Sequence, residues 1–135
     1  MNRYYLDRLG VHDRWDKWIY DKKEEEKLKK NKRKYGFDDR ETYSLDTTFY
    51  QWLYERLIRY KELTSKIIDF KGDYTKRWNY KGESLNQIEL IDKAIALLEE
   101  YFTTDGKTLE EDLALMNKAL EAAQIFVMIL PAMWW

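Results

Sequence analysis

The clearest hydrophobic periodicity lies in the last quarter of the chain. Apolar residues recur there at alternating steps of four and three, at Leu109, Leu113, Met116, Leu120, Ala123, Val127 and Leu130. This spacing places side chains along one face of an α-helix. Thr108 to Glu111 has the pattern of a capping box at its start. Pro131, the only proline, is expected to kink or end the helix.

Two more helices are predicted before it. One runs from Ser44 or Asp46 to about Thr64 and carries Phe49, Trp52, Leu53, Leu57 and Tyr60 at helical spacing. The other covers about residues 85–102, after a capping-box pattern at Ser84 to Gln87, with Ile88, Ile91, Ile95, Leu98 and Phe102 on one side. A turn at residues 103–106 joins this helix to the last one, so these two are expected to pack antiparallel.

The segment that precedes these helices has a different character. Asp13 is a candidate N-cap for a first helix with Trp15 and Trp18 on one face. Residues 21–34 then carry twelve charges in fourteen positions, which indicates a solvated helix end that frays toward Gly36.

Between the central helices, residues 66–82 are β-branched and aromatic around Gly72 and Asp73, which is compatible with a short β-hairpin or an ordered loop. Together the patterns predict an all-α fold: one domain over residues 1–135, built as a compact bundle of about four helices. Residues 1–36 form a charged N-terminal segment of this domain, and residues 37–135 form its aromatic-rich core.

Charge and composition narrow the possible functions. The chain has 24 basic and 25 acidic residues, a balance that argues against a globally basic nucleic-acid binder and against an acidic DNA mimic. The absence of cysteine excludes disulfides, thiolate metal sites and a cysteine nucleophile. The longest apolar stretch, Ile125 to Trp135, is too short to cross a bilayer, so we expect a cytoplasmic protein without a membrane segment.

Familiar catalytic constellations are missing from the sequence. His12 is the single histidine, and neither a serine-nucleophile motif nor a phosphate-binding glycine loop occurs. Glu89 with Asp92, and Glu110 with Asp105 or Asp112, could hold magnesium in a helical nucleotide hydrolase, but capping and surface solvation explain them at least as well. We therefore assign no catalytic residue, metal or cofactor, and a non-enzymatic role is favoured.

The basic segment at residues 27–34 is the best local anion-binding feature. Its cations could contact phosphates while Trp78 and neighbouring aromatics stack on bases of single-stranded nucleic acid. A solvated helix end balanced by its own glutamates is the favoured interpretation. The nucleic-acid alternative rests on Lys29, Lys30, Lys32, Arg33 and Lys34.

The chain is also unusually aromatic, with six Trp, eleven Tyr and five Phe. We expect most of Trp52, Tyr60, Phe102 and Phe126 to fill the core. A domain of this size cannot bury all the remaining tryptophans, and such side chains are effective anchors at protein interfaces. The candidate partner-binding residues are Trp15, Trp18, Trp78, Trp134 and Trp135. A surface for self-association, or a C-terminal Trp pair that folds back onto the end of the bundle, are alternatives.

Three stretches resemble a group of small uncharacterised proteins encoded by phages and prophages of Gram-positive bacteria. They are FDDRETYSLDTTFYQWLYERL at 37–57, YKGES at 80–84 and ILPAMWW at 129–135, so the resemblance covers roughly residues 37–135. Tyr43 departs from the group's pattern, which has Trp there. The resemblance implies a phage accessory protein in the host cytoplasm that binds a host or phage protein, for example an anti-CRISPR-like inhibitor of host defence.

Three functional hypotheses follow. The first is a non-enzymatic protein that binds a host or phage protein. The alternative is a nucleic-acid-binding protein that uses residues 27–34, and the third is a metal-dependent helical nucleotide hydrolase that uses Glu89 and Asp92.

Overall fold

The computed structural model describes residues 3–11, 21–42, 44–65 and 76–133. Within these ranges it confirms an all-α bundle with a short β-hairpin. The α-helices are α1 (Tyr4–Arg8), α2 (Lys22–Tyr35), α3 (Leu45–Thr64), α4 (Gln87–Thr103) and α5 (Leu109–Ile129). The antiparallel hairpin consists of β1 (Arg77–Tyr80) and β2 (Glu83–Asn86), and 3₁₀ turns cover Asp39–Thr42 and Leu130–Ala132.

Helices α3, α4 and α5 enclose the core. The hydroxyl of Tyr54 on α3 donates to Glu99 on α4 at 2.9 Å, and Lys61 near the end of α3 pairs with Asp92 near the start of α4, so these helices run antiparallel. Helix α5 returns antiparallel along α4, as predicted for helices joined by a short turn. The large aliphatic residues that these three helices bury almost completely are Leu53, Leu57, Leu90, Ile91, Leu98, Ile125 and Ile129.

A carboxylate on α3 anchors the short helix α1. Both oxygens of Glu55 accept hydrogen bonds at 3.0 Å from backbone N–H groups, those of Tyr5 and Leu6. The first N–H groups of a helix lack partners within the helix, and a negative charge there also interacts favourably with the helix dipole. Glu55 therefore fixes α1 on the bundle, and Leu6 becomes fully buried.

Capping residues explain where α4 and α5 begin. The predicted capping box at Ser84 is wrong, because Ser84 lies in β2; Asn86 caps α4 instead and forms a capping box with Glu89. At α5 the predicted N-cap is confirmed, since the Thr108 hydroxyl accepts from the Glu111 N–H at 3.1 Å, but the Glu111 carboxylate accepts from the Lys107 N–H rather than closing the predicted box. The helix ends at Ile129, two residues before Pro131, where a 3₁₀ turn takes over.

The hairpin lies at the C-terminal edge of the predicted region. Its two-residue loop, Lys81 and Gly82, has positive φ at both positions (50° and 83°), as in the tight turns that match the twist of paired strands. Residues 66–75, where the turn around Gly72 and Asp73 was expected, lie outside the described residues. The hairpin places Trp78 opposite the buried Leu85.

Helix α2 is the charged helix that the sequence predicts. The Asp21 carboxylate caps it by accepting from the Glu24 N–H at 2.8 Å, and Gly36 ends it in a left-handed conformation, φ 88°. The helix buries none of its residues. The helix start predicted at Asp13 falls in residues 12–20, which lie outside the described part of the chain.

Candidate functional site: an exposed apolar face on α5

The apolar stripe that marks α5 in the sequence faces solvent. Five of its seven members, Leu109, Leu113, Met116, Leu120 and Val127, are between 47% and 75% exposed, and Leu130 just beyond the helix is 47% exposed. Ala123, the smallest member, is half-buried. We call these seven residues the outer apolar face. Their steps of four and three repeat the a and d positions of a heptad over about three heptads.

A second apolar stripe of α5 provides its contact with the bundle. It consists of Leu115, Ala119, Ala122, Ile125 and Ile129, which we call the inner face; each is at most 8% exposed. Since successive helical residues rotate by about 100°, the two stripes lie roughly 130° apart around the helix. Helix α5 is thus apolar on two sides, and the bundle covers only one of them.

Aromatic residues of α3 extend the outer apolar face sideways. The ring of Trp52 contacts Phe126 of α5 edge-on at 6.3 Å between centroids, and Phe49 stacks on Trp52 at 6.0 Å. The Arg56 guanidinium lies 4.6 Å from the centroid of the Trp52 ring. Trp52 was expected in the core, but it is 37% exposed because it covers the edge of α5 rather than its inner face. We call Phe49, Trp52 and Arg56 the Trp52 edge.

The charged residues in the middle of α5 point toward the bundle. Lys118 pairs with Glu100 of α4, and Glu121 pairs with Lys81 in the hairpin loop. The hydrogen bond from Lys81 holds the pKa of the Glu121 carboxyl below its ordinary value, and Glu121 in turn raises the pKa of Lys81. These pairs flank the inner face and leave the outer apolar face without a charge between Leu113 and Leu130.

One helical stretch, Leu109–Ala132, is long and apolar enough to cross a membrane by length and composition alone, and 22% of its most apolar window is buried in the fold. Two apolar faces on one helix account for this property. The expectation that the protein has no membrane segment rests on the short apolar stretch Ile125 to Trp135, and this longer helix meets the length that the stretch does not. That expectation remains a prediction.

Of the predicted partner-binding tryptophans, only Trp78 lies in the described part of the chain. It is half-buried against the core cluster, and the Lys76 ammonium lies 5.1 Å from its ring centroid. Trp15, Trp18, Trp134 and Trp135 lie outside the described residues, as does His12. The aromatic residues that the structure adds to the candidate surface are Phe49 and Trp52.

The basic residues proposed for nucleic-acid binding occupy the C-terminal half of α2. Lys29, Lys30, Lys32, Arg33 and Lys34 are all exposed. Two exposed rings follow them, Tyr35 and Phe37, whose centroids are 6.5 Å apart, and the Lys34 ammonium lies 5.0 Å from the Tyr35 ring. Among the described contacts, none joins Trp78 to this group.

The carboxylates considered for magnesium have structural partners. Glu89 completes the cap of α4 and lies 3.7 Å from Arg77, and Asp92 pairs with Lys61. Within the described ranges no group of three or more His, Cys, Asp or Glu could hold a metal ion. Glu110 and Asp112 lie in the exposed first turn of α5, where their negative charges interact favourably with the positive end of the helix dipole.

A groove of about 270 Å³ separates the hairpin from α4 and α5. Its charged residues comprise Lys93 and Glu100 together with the Lys81–Glu121 pair. Glu100 is itself paired with Lys118. Three of these four charged residues are held in ion pairs, and such structural pairing accounts for the pKa shifts of Lys81 and Glu121.

Comparison with known proteins adds no relative. No family model matches the chain, and no characterised protein and no solved structure is significantly similar to it.

Proposed function

We propose that this protein is a non-enzymatic interaction protein that acts by binding another protein chain through the outer apolar face of α5. The observation that supports this proposal is the exposure of six large aliphatic side chains in one continuous stripe. Monomeric soluble proteins rarely expose contiguous apolar patches of more than a few hundred Å², and larger ones mark interaction sites.

The Trp52 edge supports the same conclusion. Binding energy at protein interfaces is concentrated in a few residues, among which Trp and Arg are enriched. Trp52 and Arg56 lie beside the aliphatic stripe and are already held against each other, so little side-chain entropy is lost when a partner covers them. The bound protein would therefore contact the aliphatic side chains of the outer apolar face and, beside them, the aromatic rings and the guanidinium of the Trp52 edge.

The biological setting comes from the resemblance to phage and prophage proteins. We propose that the chain is a phage accessory protein of the host cytoplasm, that its partner is a host or phage protein, and that inhibition of host defence, as by an anti-CRISPR protein, is one form this binding takes. This part of the proposal depends only on the resemblance of residues 37–57, 80–84 and 129–135 to that group.

The test is affinity purification of the tagged chain from Gram-positive cells, with nuclease treatment, followed by mass spectrometry. We expect a nuclease-resistant protein partner that is lost with Leu120→Lys, in the centre of the outer apolar face, and kept with Ala114→Lys. Ala114 is exposed on the same helix away from the stripe, so its variant controls for the added charge. Recovery of the same proteins with wild type and Leu120→Lys would refute a role for this face.

A second candidate function is nucleic-acid binding by the basic end of α2. The exposed Tyr35–Phe37 pair beside Lys34 is the observation that favours it, because a positive patch with stacking rings is what single strands require. In the same purification this function predicts bound material that disappears on nuclease treatment. It also predicts that Lys34→Glu abolishes that binding while Leu120→Lys does not.

A further inference from the structure

We infer that the outer apolar face of α5 binds a second copy of this chain in an antiparallel helix pair across a twofold axis. The inference deepens the proposed function, on which it rests, by naming the partner of the same face. It follows from the spacing, area and charge of that face.

The spacing is that of a helix seam. From Leu109 to Leu130 the steps alternate between four and three without a break, which keeps a straight row of side chains turned toward one partner helix. A single pocket or an extended peptide would not require this register along the whole of α5. The same helix on a second copy supplies the matching seam of equal length, which is about 30 Å at 1.5 Å per residue.

The area of the face also fits a dimer. From their exposed fractions, the six large aliphatic residues leave on the order of 600 Å² of side-chain surface accessible, and the Trp52 edge adds to it; a standard interface buries about 800 Å² per partner. Two copies of the face together thus reach the size of a stable interface. The residues that flank the centre of the face, Asn117 and Gln124, are uncharged. Dimer formation therefore buries no unpaired charge there.

The distribution of charge fixes the orientation. Glu110, Glu111 and Asp112 form an acidic first turn on α5. A parallel pair would bring the two acidic turns together, which like-charge repulsion opposes. An antiparallel pair separates them by the length of the helix and opposes the two helix dipoles favourably.

The antiparallel pair also gives each acidic turn a cationic neighbour. With the twofold axis at Leu120, residue 112 of one copy lies level with residue 128 of the other, within one helical turn of Phe126. On the helical wheel Asp112 and Phe126 lie on the same side of the seam, which is the side that the Trp52 edge covers. Asp112 of each copy thus comes beside Arg56 of the other.

The inference is tested with the purified full chain by sedimentation equilibrium and size-exclusion chromatography with light scattering. We expect twice the mass of the chain for the wild type and for Ala114→Lys. Leu120→Lys is expected to weaken association about tenfold or more, since it puts a charge at the centre of the interface. Val127→Lys, at a position 63% exposed, is a second variant in case Leu120→Lys does not fold, and circular dichroism reports folding for both.

The orientation is tested with single thiols, because the chain has no cysteine of its own. Leu113→Cys and Val127→Cys proteins are mixed and oxidised. An antiparallel pair yields mainly the mixed disulfide, whereas a parallel pair yields disulfides between identical variants and would overturn the proposed orientation.

Other outcomes separate this inference from the proposed function. A wild-type chain that stays monomeric at about 100 µM, well above the micromolar Kd of even a modest interface, overturns the dimer. If Leu120→Lys still abolishes capture of a different protein, the proposed function stands without it. Binding of the wild type, but not of Leu120→Lys, to phosphatidylglycerol vesicles instead of to itself would also overturn the dimer and assign the face to a lipid surface.

Discussion

The two apolar faces of α5 differ in residue size, although one helix carries both. The inner face includes Ala119 and Ala122, whose small side chains let α4 approach closely, while the outer apolar face is mostly Leu, Met and Val. Small residues at a helix contact maximise packing of backbones, and large aliphatic residues at heptad positions fill the space between two helices that are farther apart. Residue size therefore distinguishes the face that folds the monomer from the face that is left for a partner.

The largest expected effect comes from removing volume from the inner face. Ile125 lies among core residues and is only 1% exposed. Ile125→Ala therefore leaves a cavity and should lower the free energy of unfolding by roughly 2–5 kcal/mol. Urea unfolding followed by circular dichroism measures this change. The experiment is done on the Leu120→Lys background so that self-association does not contribute.

The matched control is Val127→Ala, two residues away on the outer apolar face. On the same background it should change stability by no more than about 0.5 kcal/mol, because Val127 is 63% exposed. Equal losses for Ile125→Ala and Val127→Ala would contradict the assignment of α5 to two faces with different roles.

A smaller effect is expected when a larger side chain replaces one alanine of each face. The two alanines are Ala119 on the inner face and Ala123 on the outer apolar face. Ala119→Leu puts a large side chain into a fully buried position and should destabilise the chain by about 1–3 kcal/mol. Ala123→Leu fills the smallest position of the outer apolar face, so it should cost little in unfolding free energy and strengthen self-association.

Unfolding in urea and sedimentation equilibrium provide the two readouts for this pair. Weaker association of Ala123→Leu than of the wild type would show that the seam is not packed as proposed.

Sequence periodicity predicted the existence of α5, but its strongest apolar stripe is the outer apolar face and not the face that packs on the bundle. Leu120 and Val127 form the stronger pattern because their side chains are larger, while Ala119 and Ala122 contribute little to a hydrophobic signal and yet are fully buried. Helix type depends on local spacing and could be predicted. The choice between two apolar faces depends on the position of α4, which is a tertiary property.

Tertiary contacts also explain why Ser84 and Trp52 differ from their predicted roles. Ser84 has a capping sequence as good as that of Asn86, but strand pairing of Asn79 with Ser84 leaves the helix to begin later. Trp52 looks like a core residue at helical spacing, and only the place of Phe126 shows that it covers an edge. Charge patterning succeeded for α2 because a helix that buries none of its residues is governed by local interactions alone.

The smallest expected effect concerns the ion pair that borders the inner face. Lys81 lowers the pKa of Glu121, so the folded state favours the carboxylate. The pair therefore stabilises the fold above the ordinary glutamate pKa of about 4.3, and this contribution is lost as the pH falls through the lower, folded-state pKa. Because the Lys81 side chain is 67% exposed, solvent screening keeps the effect small.

Glu121→Gln tests this by comparing urea unfolding of the variant and the wild type at neutral pH and near pH 3. The variant should be slightly less stable at neutral pH, and the difference should shrink toward acidic pH as the wild-type carboxyl gains its proton. Lys81→Met should produce the same small loss at neutral pH and add nothing to Glu121→Gln, since either change breaks the pair. A stability difference that is independent of pH would mean that Glu121 stabilises the fold by packing against the hairpin. The charge of its carboxylate would then contribute nothing to the contact between α5 and the hairpin.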